Sequence, residues 1–113
     1  YTETIFMHPT ILFRYSAIGF VGHRIHYDYP YTKNEENYPD LIVHGPLQAT
    51  FLLRAAEKLK GKTVTSFSHK VMAPVFANSD YIIGAKENTN GSVSCWGAVK
   101  GSGMTMQAEA CFE

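Results

Sequence analysis

Gly22-His23-Arg24-Ile25-His26-Tyr27-Asp28 places two imidazoles three residues apart with a guanidinium beside them. Imidazole titrates close to neutrality, with an unperturbed pKa of about 6.5, so it can take a proton from water and return one. Adding water to an activated alkene needs both steps. The plainer reading is that one histidine satisfies loop backbone groups and the other faces solvent. A second stretch, Val43-His44-Gly45-Pro46-Leu47, stands at the head of the most apolar segment of the chain. The first amides of a helix have no partner within it, and the helix dipole adds partial positive charge there. Glycine lets a ligand approach that backbone closely. Such a terminus can hold an oxyanion, including the enolate-like oxygen of a thioester whose α-carbon gains or loses a proton. The plainer reading here is a glycine and a proline that merely start a buried helix.

Both stretches must be positioned by the rest of the chain. Its 113 residues fit one domain, and 45% hydrophobic with 18% charged residues is the balance of a folded protein. Ten basic and ten acidic side chains cancel, leaving no basic stripe for a nucleic acid. No apolar run approaches the roughly 18 residues of a membrane-spanning helix, so no membrane partner is expected. The opening Tyr1-Thr2-Glu3-Thr4 has neither the basic start nor the apolar run of a signal peptide. No Cys-x-x-Cys or His-Glu-x-x-His spacing implies a metal, and no other cofactor is implied. Cys95 and Cys111 read as two buried free thiols, suited to a reducing compartment: the cytoplasm, or the mitochondrial matrix in a eukaryote.

Along the chain, Thr2 to Met7 reads as a short strand. Pro9 then starts a helix with Ile11, Leu12, Tyr15, Ala17 and Ile18 as its apolar stripe, ending at Gly19. Phe20 to Val43 reads as loop with at most one short helix. The segment from Pro46 to about Leu59 is apolar on nearly every side, which predicts a buried helix ending at Gly61. Val64 to Phe76 reads as extended, with Phe67, His69 and Val71 on one face. Tyr81, Ile83 and Ala85, then Val93, Cys95, Gly97 and Val99, then Met104, Met106, Ala108, Ala110 and Phe112 alternate with their neighbours. Asn88-Thr89-Asn90-Gly91 and Gly101-Ser102-Gly103 mark the turns. Period-two alternation with one apolar face predicts an antiparallel sheet covered on one side. A meander of strands with one very apolar helix predicts an α+β hotdog fold, the sheet wrapped around a long central helix.

Phe13-Arg14-Tyr15-Ser16-Ala17, the Gly22–Asp28 stretch and Tyr38-Pro39-Asp40-Leu41-Ile42-Val43-His44-Gly45-Pro46-Leu47 together carry a resemblance in order and spacing. They resemble the MaoC-like hydratases and dehydratases, nearest the branch of mesaconyl- and itaconyl-CoA hydratases and mitochondrial 3-hydroxyacyl-thioester dehydratase type 2. Ala73-Pro74-Val75-Phe76 and Ala108-Glu109-Ala110 are similar to that branch too, so the likeness covers nearly the whole chain. It implies one hotdog domain over residues 1–113, standing alone or as part of a longer, double-hotdog chain. It also implies reversible hydration of a 2-enoyl thioester, or dehydration of a 3-hydroxyacyl thioester, carried by CoA or acyl-carrier protein. His26 matches the catalytic histidine of the group's Asp-x-Asn-Pro-x-His loop and would handle the water. Gly45 matches the glycine whose amide receives the thioester oxygen. His23 falls on the asparagine position, Arg24 on the proline position and Val21 on the aspartate position. Valine cannot exchange a proton, and the nearer branch commonly has asparagine there. The acid–base work then falls on His26, aided by His23 or a water; alternatively the domain is a non-catalytic thioester-binding or dimerisation module. Thioesterase activity is a third reading, for which Leu47-Gln48-Ala49-Thr50 supplies no carboxylate.

Arg24 could meet a CoA phosphate or a substrate carboxylate, or serve in a surface ion pair. Tyr27, Tyr31 and Pro46 are candidates for the pocket wall, against simple packing. His69 and Trp96 read as structural, Trp96 at sheet packing or an interface. One open sheet face and edge predict pairing with an identical chain or a second hotdog domain. Active sites of the resembled family lie at such junctions, which implies an inactive isolated monomer.

Overall fold

A computed structural model describes residues 1–113. Five strands form one antiparallel sheet: β1 (Thr2–Phe6), β2 (Ser66–Val71), β3 (Asp80–Glu87), β4 (Val93–Val99) and β5 (Gly103–Cys111), in the order β1-β3-β4-β5-β2. Helices α1 (Pro9–Ile18), α2 (Tyr29–Asn34) and α3 (Gly45–Lys60) precede β2 in the chain, with a single 3-10 turn at Arg24–His26. α3 packs against β2 through β5, so the sheet wraps its longest helix: the hotdog arrangement. No helix is long and apolar enough to cross a membrane.

Inward positions of the strands build the core. Tyr81, Ile83 and Ala85 of β3 and Val93 and Cys95 of β4 meet Leu47, Leu52, Ala55 and Ala56 of α3, all buried. Burying each large side chain contributes about 1.5–3 kcal/mol. Glycine makes two of these contacts possible. A Cβ at Gly97 would collide with the Tyr81 ring, and one at Gly84 with the Trp96 indole on the opposite face. Burial raises the Tyr81 hydroxyl to about 12 and the Cys95 thiol to about 11, so both stay protonated. Cys95 is buried and Cys111 half-buried, and both thiols are free.

Four details differ from the sequence expectation. α3 is not buried all round: Pro46, Thr50, Arg54 and Lys58 form an exposed stripe at helical spacing, while the polar Gln48 is buried. One sheet covers one side of a helix, and the apolar residues lying beyond it (Phe51, Leu53, Leu59) are only partly covered. In α1 the buried residues are Leu12 and Ser16, and Ile18, two residues on from Ser16 and so on the opposite side of the helix, is 79% exposed. β2 stops at Val71 rather than running to Phe76: the amides of Met72 and Ala73 both bond to the Thr105 carbonyl, ending the ladder before Pro74. The fourth is Met104, which is expected inward but faces out. Consecutive Gly97 and Ala98 of β4 pair with Met106 and Met104, which leaves Thr105 as the extra residue of a bulge in β5, so Thr105 and Met106 are both buried and Met104 is exposed.

Candidate active site

His26 closes the 3-10 turn that follows α1. The segment before α3 is held from two sides: the Ile42 amide donates to the Ile25 carbonyl of the turn at 2.9 Å, and the Val43 amide to the Val75 carbonyl at 2.8 Å. These bonds bring the turn against the segment that leads into α3. His26 Nδ1 lies 2.6 Å from the Ile42 carbonyl oxygen. A carbonyl can only accept, so Nδ1 carries the proton and Nε2 is left with its lone pair. Burial lowers the His26 pKa, outweighing the bond to Ile42, which raises it; nearby His23 lowers it further. The ring is therefore a neutral base at pH 7, with the free nitrogen already defined.

A second imidazole lies against it. His44 is 2% exposed, and its ring stacks on that of His26 with centroids 3.8 Å apart and planes at 17°. Its Nε2 sits 2.8 Å from Ser16 Oγ, reached from α1, and the Tyr15 ring packs at 4.7 Å. Nδ1 is buried without a hydrogen-bond partner. Burial, and then the charge of a protonated His26, push the His44 pKa down to about 4, so this ring too is neutral at pH 7.

α3 begins at the next residue. The amide of Gly45 has no acceptor within the chain, and Pro46 has no amide to offer. A Cβ built on Gly45 would touch only Val71 Cγ2, at 4.0 Å, so the approach to this backbone is open. His26 and Gly45 both line a cleft of about 460 Å³, with Tyr38, Gln48, Val71 and Met72 among its walls. Gln48 forms a buried polar floor; its amide donates to the Val43 carbonyl at 3.3 Å and it accepts from the Tyr81 hydroxyl at 3.4 Å. Base, open helix terminus and largely apolar walls in one cleft suit proton transfer beside a carbonyl whose oxygen gains negative charge.

The other expected site residues lie around this cleft rather than along its wall. His23 is exposed, its ring centroid 5.9 Å from that of His26. Arg24 pairs with Asp28 at 3.0 Å and covers the Tyr31 ring at 4.1 Å, opening onto a separate depression beside α2. Asp28 meanwhile caps α2 through the Tyr31 amide, and that bond, with Arg24 beside it, holds its carboxyl below the usual range. Tyr27 is exposed and donates to the Gly22 carbonyl. Pro46 is exposed on α3, and Val21 is half-buried, its amide bonded to the Ser16 carbonyl. His69 is exposed on β2; Trp96 lies on the outer face of the sheet over Gly84. No three His, Cys, Asp or Glu side chains converge as metal ligands.

His44, Ser16 and Gln48 stand within the sequence stretches named above but have no expected site role; Gln48 lines the cleft, and His44 and Ser16 stand behind His26. His44 lies next to Gly45, so adjacency was a usable signal. Ser16 falls one helical turn beyond Leu12, and its burial shows only once α1 is docked. Gln48, one turn after His44, sits on the inward stripe of α3.

Comparisons with known proteins bear on the family and the fold. A family model described as hydroxyacyl-thioester dehydratase type 2 matches residues 1–77. The chain is 42% identical over 87 residues to the mesaconyl-C(4)-CoA hydratase of Chloroflexus aurantiacus, an alignment covering 77% of this chain and 31% of that protein. It is 35% identical over 85 residues to the mitochondrial hydroxyacyl-thioester dehydratase type 2 of Schizosaccharomyces pombe, covering 73% of this chain and 28% of that one. The chain thus spans about a third or less of the length of these relatives. Among solved structures, the (R)-hydratase of A. caviae involved in PHA biosynthesis superposes with a TM-score of 0.85 at 15% identity, covering 97% of this chain and 89% of that one. That last likeness shows the fold. With two thirds of its length under the family model and its loop and helix-start motifs in one cleft, this chain belongs to the hydroxyacyl-thioester dehydratase type 2 family, on the MaoC-like hotdog fold.

Proposed function

We propose that this domain reversibly hydrates a 2-enoyl thioester, or dehydrates the corresponding 3-hydroxyacyl thioester. The observation that carries the reading is the shared cleft of His26, with Nε2 unprotonated, and Gly45, with its amide unpaired. The thioester oxygen accepts from the Gly45 amide, which draws electron density from the conjugated alkene. Nε2 of His26 takes a proton from water as the hydroxyl oxygen bonds to the β-carbon. The resulting enolate oxygen is held at the helix terminus until the α-carbon accepts the proton from Nε2–H, directly or through a water; this restores the neutral base. His23, exposed at the mouth of the turn, returns a proton to His26 when one is lost to solvent before the α-carbon takes it. Both relatives are named for hydration or dehydration of thioesters, which supports the same chemistry.

The absence of any carboxylate from the cleft wall favours a second reading, a domain that binds thioesters without turning them over. Pairing with a second hotdog domain, from an identical chain or from elsewhere in a longer one, fits the open edge of β2, where Val71 and Met72 are about half exposed beside the cleft. A panel of enoyl- and 3-hydroxyacyl-CoA esters, followed by loss or gain of the conjugated-alkene absorbance, tests the main reading. Turnover by the native protein and none by His26→Ala is the expected result. CoA-ester binding with no absorbance change in either protein would establish the second reading instead.

A further inference from the structure

His44 is a second imidazole in the core that the reaction above leaves unused. An aliphatic side chain would fill its place without desolvating two ring nitrogens, one of them unpartnered. What an aliphatic chain cannot do is lie flat against another ring while being held at its own far edge. His44 does both, stacking 3.8 Å from His26 while Ser16 Oγ holds its Nε2 at 2.8 Å. His26 has one polar tether of its own, the Nδ1 bond to Ile42. A single hydrogen bond leaves the ring free to tilt about the N–H···O axis, and a parallel ring at van der Waals distance removes that freedom. We propose that His44, anchored by Ser16, is a positioning residue that fixes the plane of the His26 imidazole and so aims Nε2. This rests on His26 being the base.

The surroundings suit that role. From the turn, His23 approaches at 5.9 Å; from α1, Tyr15 packs on His44; Tyr38 stands in the cleft wall. Arg24, two residues before His26 in the chain, is paired with Asp28, and the cleft wall contains no carboxylate, ammonium or guanidinium group. His44 stays neutral, so it does not oppose a proton arriving on the ring it backs.

The test compares native protein with Ser16→Ala, His44→Phe and His44→Leu, using crotonyl-CoA turnover and an NMR titration of the His26 ring protons without substrate. Phenylalanine keeps a flat ring against His26 and leucine does not. Since small misplacement of a reacting group costs up to a hundredfold, kcat is expected to fall about 30-fold in His44→Leu, with KM within about twofold, and by about fivefold or less in His44→Phe. Ser16→Ala, which keeps α1 intact because alanine favours helix, is expected to lower kcat about fivefold. The titration midpoint of His26 moves up toward the ordinary imidazole range most in His44→Leu, as the loosened ring hydrates, and less in Ser16→Ala and His44→Phe, which keep a flat ring but lose the Ser16 bond. A general loss of stability would move neither the midpoint nor the ratio between the two His44 variants. Equal loss in those variants, or native kcat and midpoint in Ser16→Ala, overturns the proposal. If His44→Leu does not fold, Ser16→Ala decides alone. The midpoint needs no turnover, so failure of His26 as the base, seen as activity surviving in His26→Ala, stays distinct from failure of His44 as its support.

Discussion

Two clefts of nearly equal size lie on this molecule, about 460 Å³ at the head of α3 and about 470 Å³ on the outer face of the sheet. The outer one is bordered by Ser68 and Lys70 of β2, Gln107 and Glu109 of β5, and Ser94 and Trp96 of β4. Its charged groups sit on exposed strand positions, where long side chains move freely in water. The cleft at α3 has fewer polar groups, and three of them are held: His26 by the Ile42 carbonyl, Gln48 by Val43 and Tyr81, and the Gly45 amide by the helix that follows it. Size does not separate the two. What separates them is whether the polar atoms are fixed before a ligand arrives, because fixed dipoles need no reorganisation as charge develops.

The sharpest way to break this contrast is to remove the base. His26→Ala is expected to lower kcat by about 10²–10⁴-fold with the fold intact, read by alkene absorbance and by circular dichroism. Activity near the native rate would mean that the cleft at α3 is no better prepared than the outer one. Gly45→Val comes next. The backbone there is open, with only Val71 Cγ2 at 4.0 Å from a new Cβ, so the helix should form while the branched side chain covers the amide. A fall in kcat/KM of about 10²-fold is expected, the size of losing one oxyanion donor. An unaffected kcat/KM in a folded Gly45→Val protein would place the thioester oxygen somewhere else.

How far the sequence foretold this contrast depends on the range of the forces involved. The inward sets of β3 and β4 were legible because alternation is local and every second residue meets the core. Gly45-Pro46 was legible as a helix start for the same reason. Met104 was not, because the bulge that turns it outward depends on the pairing of β4 with β5. The polar stripe of α3 was overlooked because Ala49, Phe51, Leu53 and Leu59 mask a spacing of four that only a neighbouring sheet makes meaningful. In the cleft, His26 and Gly45 came from their types and motif. Ser16 and His44 meet across 28 residues, a contact that no local pattern encodes. Arg24 was legible as half of an ion pair or as an anion contact, and its spacing of four from Asp28 on a helical turn favours the ion pair.

Acid sharpens the contrast from the side of stability. In the unfolded chain His44 has an ordinary imidazole pKa near 6.5, and in the folded chain it has one of about 4. Between those values the unfolded state binds a proton that the folded state refuses. The folded state is therefore unpenalised above about pH 6.5, loses stability as the pH falls from there toward 4, and loses no more below that. The total is roughly 2–4 kcal/mol, since each pKa unit corresponds to about 1.4 kcal/mol. Burial lowers the His26 pKa as well, adding a loss of the same sign. Urea midpoints taken from pH 7.5 to 4.5 should show the decline, and His44→Phe should flatten most of it. A variant as acid-sensitive as the native protein would assign the loss to other groups.

The smallest effect is expected on the outer face. Trp96 is half-buried there, its indole lying over Gly84 where any Cβ would collide with it. Trp96→Ala removes that cover from the β3–β4 pair, and with part of the indole already in water the cost should be about 1–2 kcal/mol. The site lies on the face of the sheet opposite α3, so the His26 ring and the Gly45 amide keep their partners. Thermal denaturation should therefore register the change while kcat/KM stays within about twofold, because surface effects remote from a site rarely reach it. A larger fall in kcat/KM at unchanged oligomeric state would mean that the sheet transmits strain to the head of α3. In that case the two clefts would have to be treated as one coupled unit, and the fixed groups of the first would owe their geometry to the packing of the second.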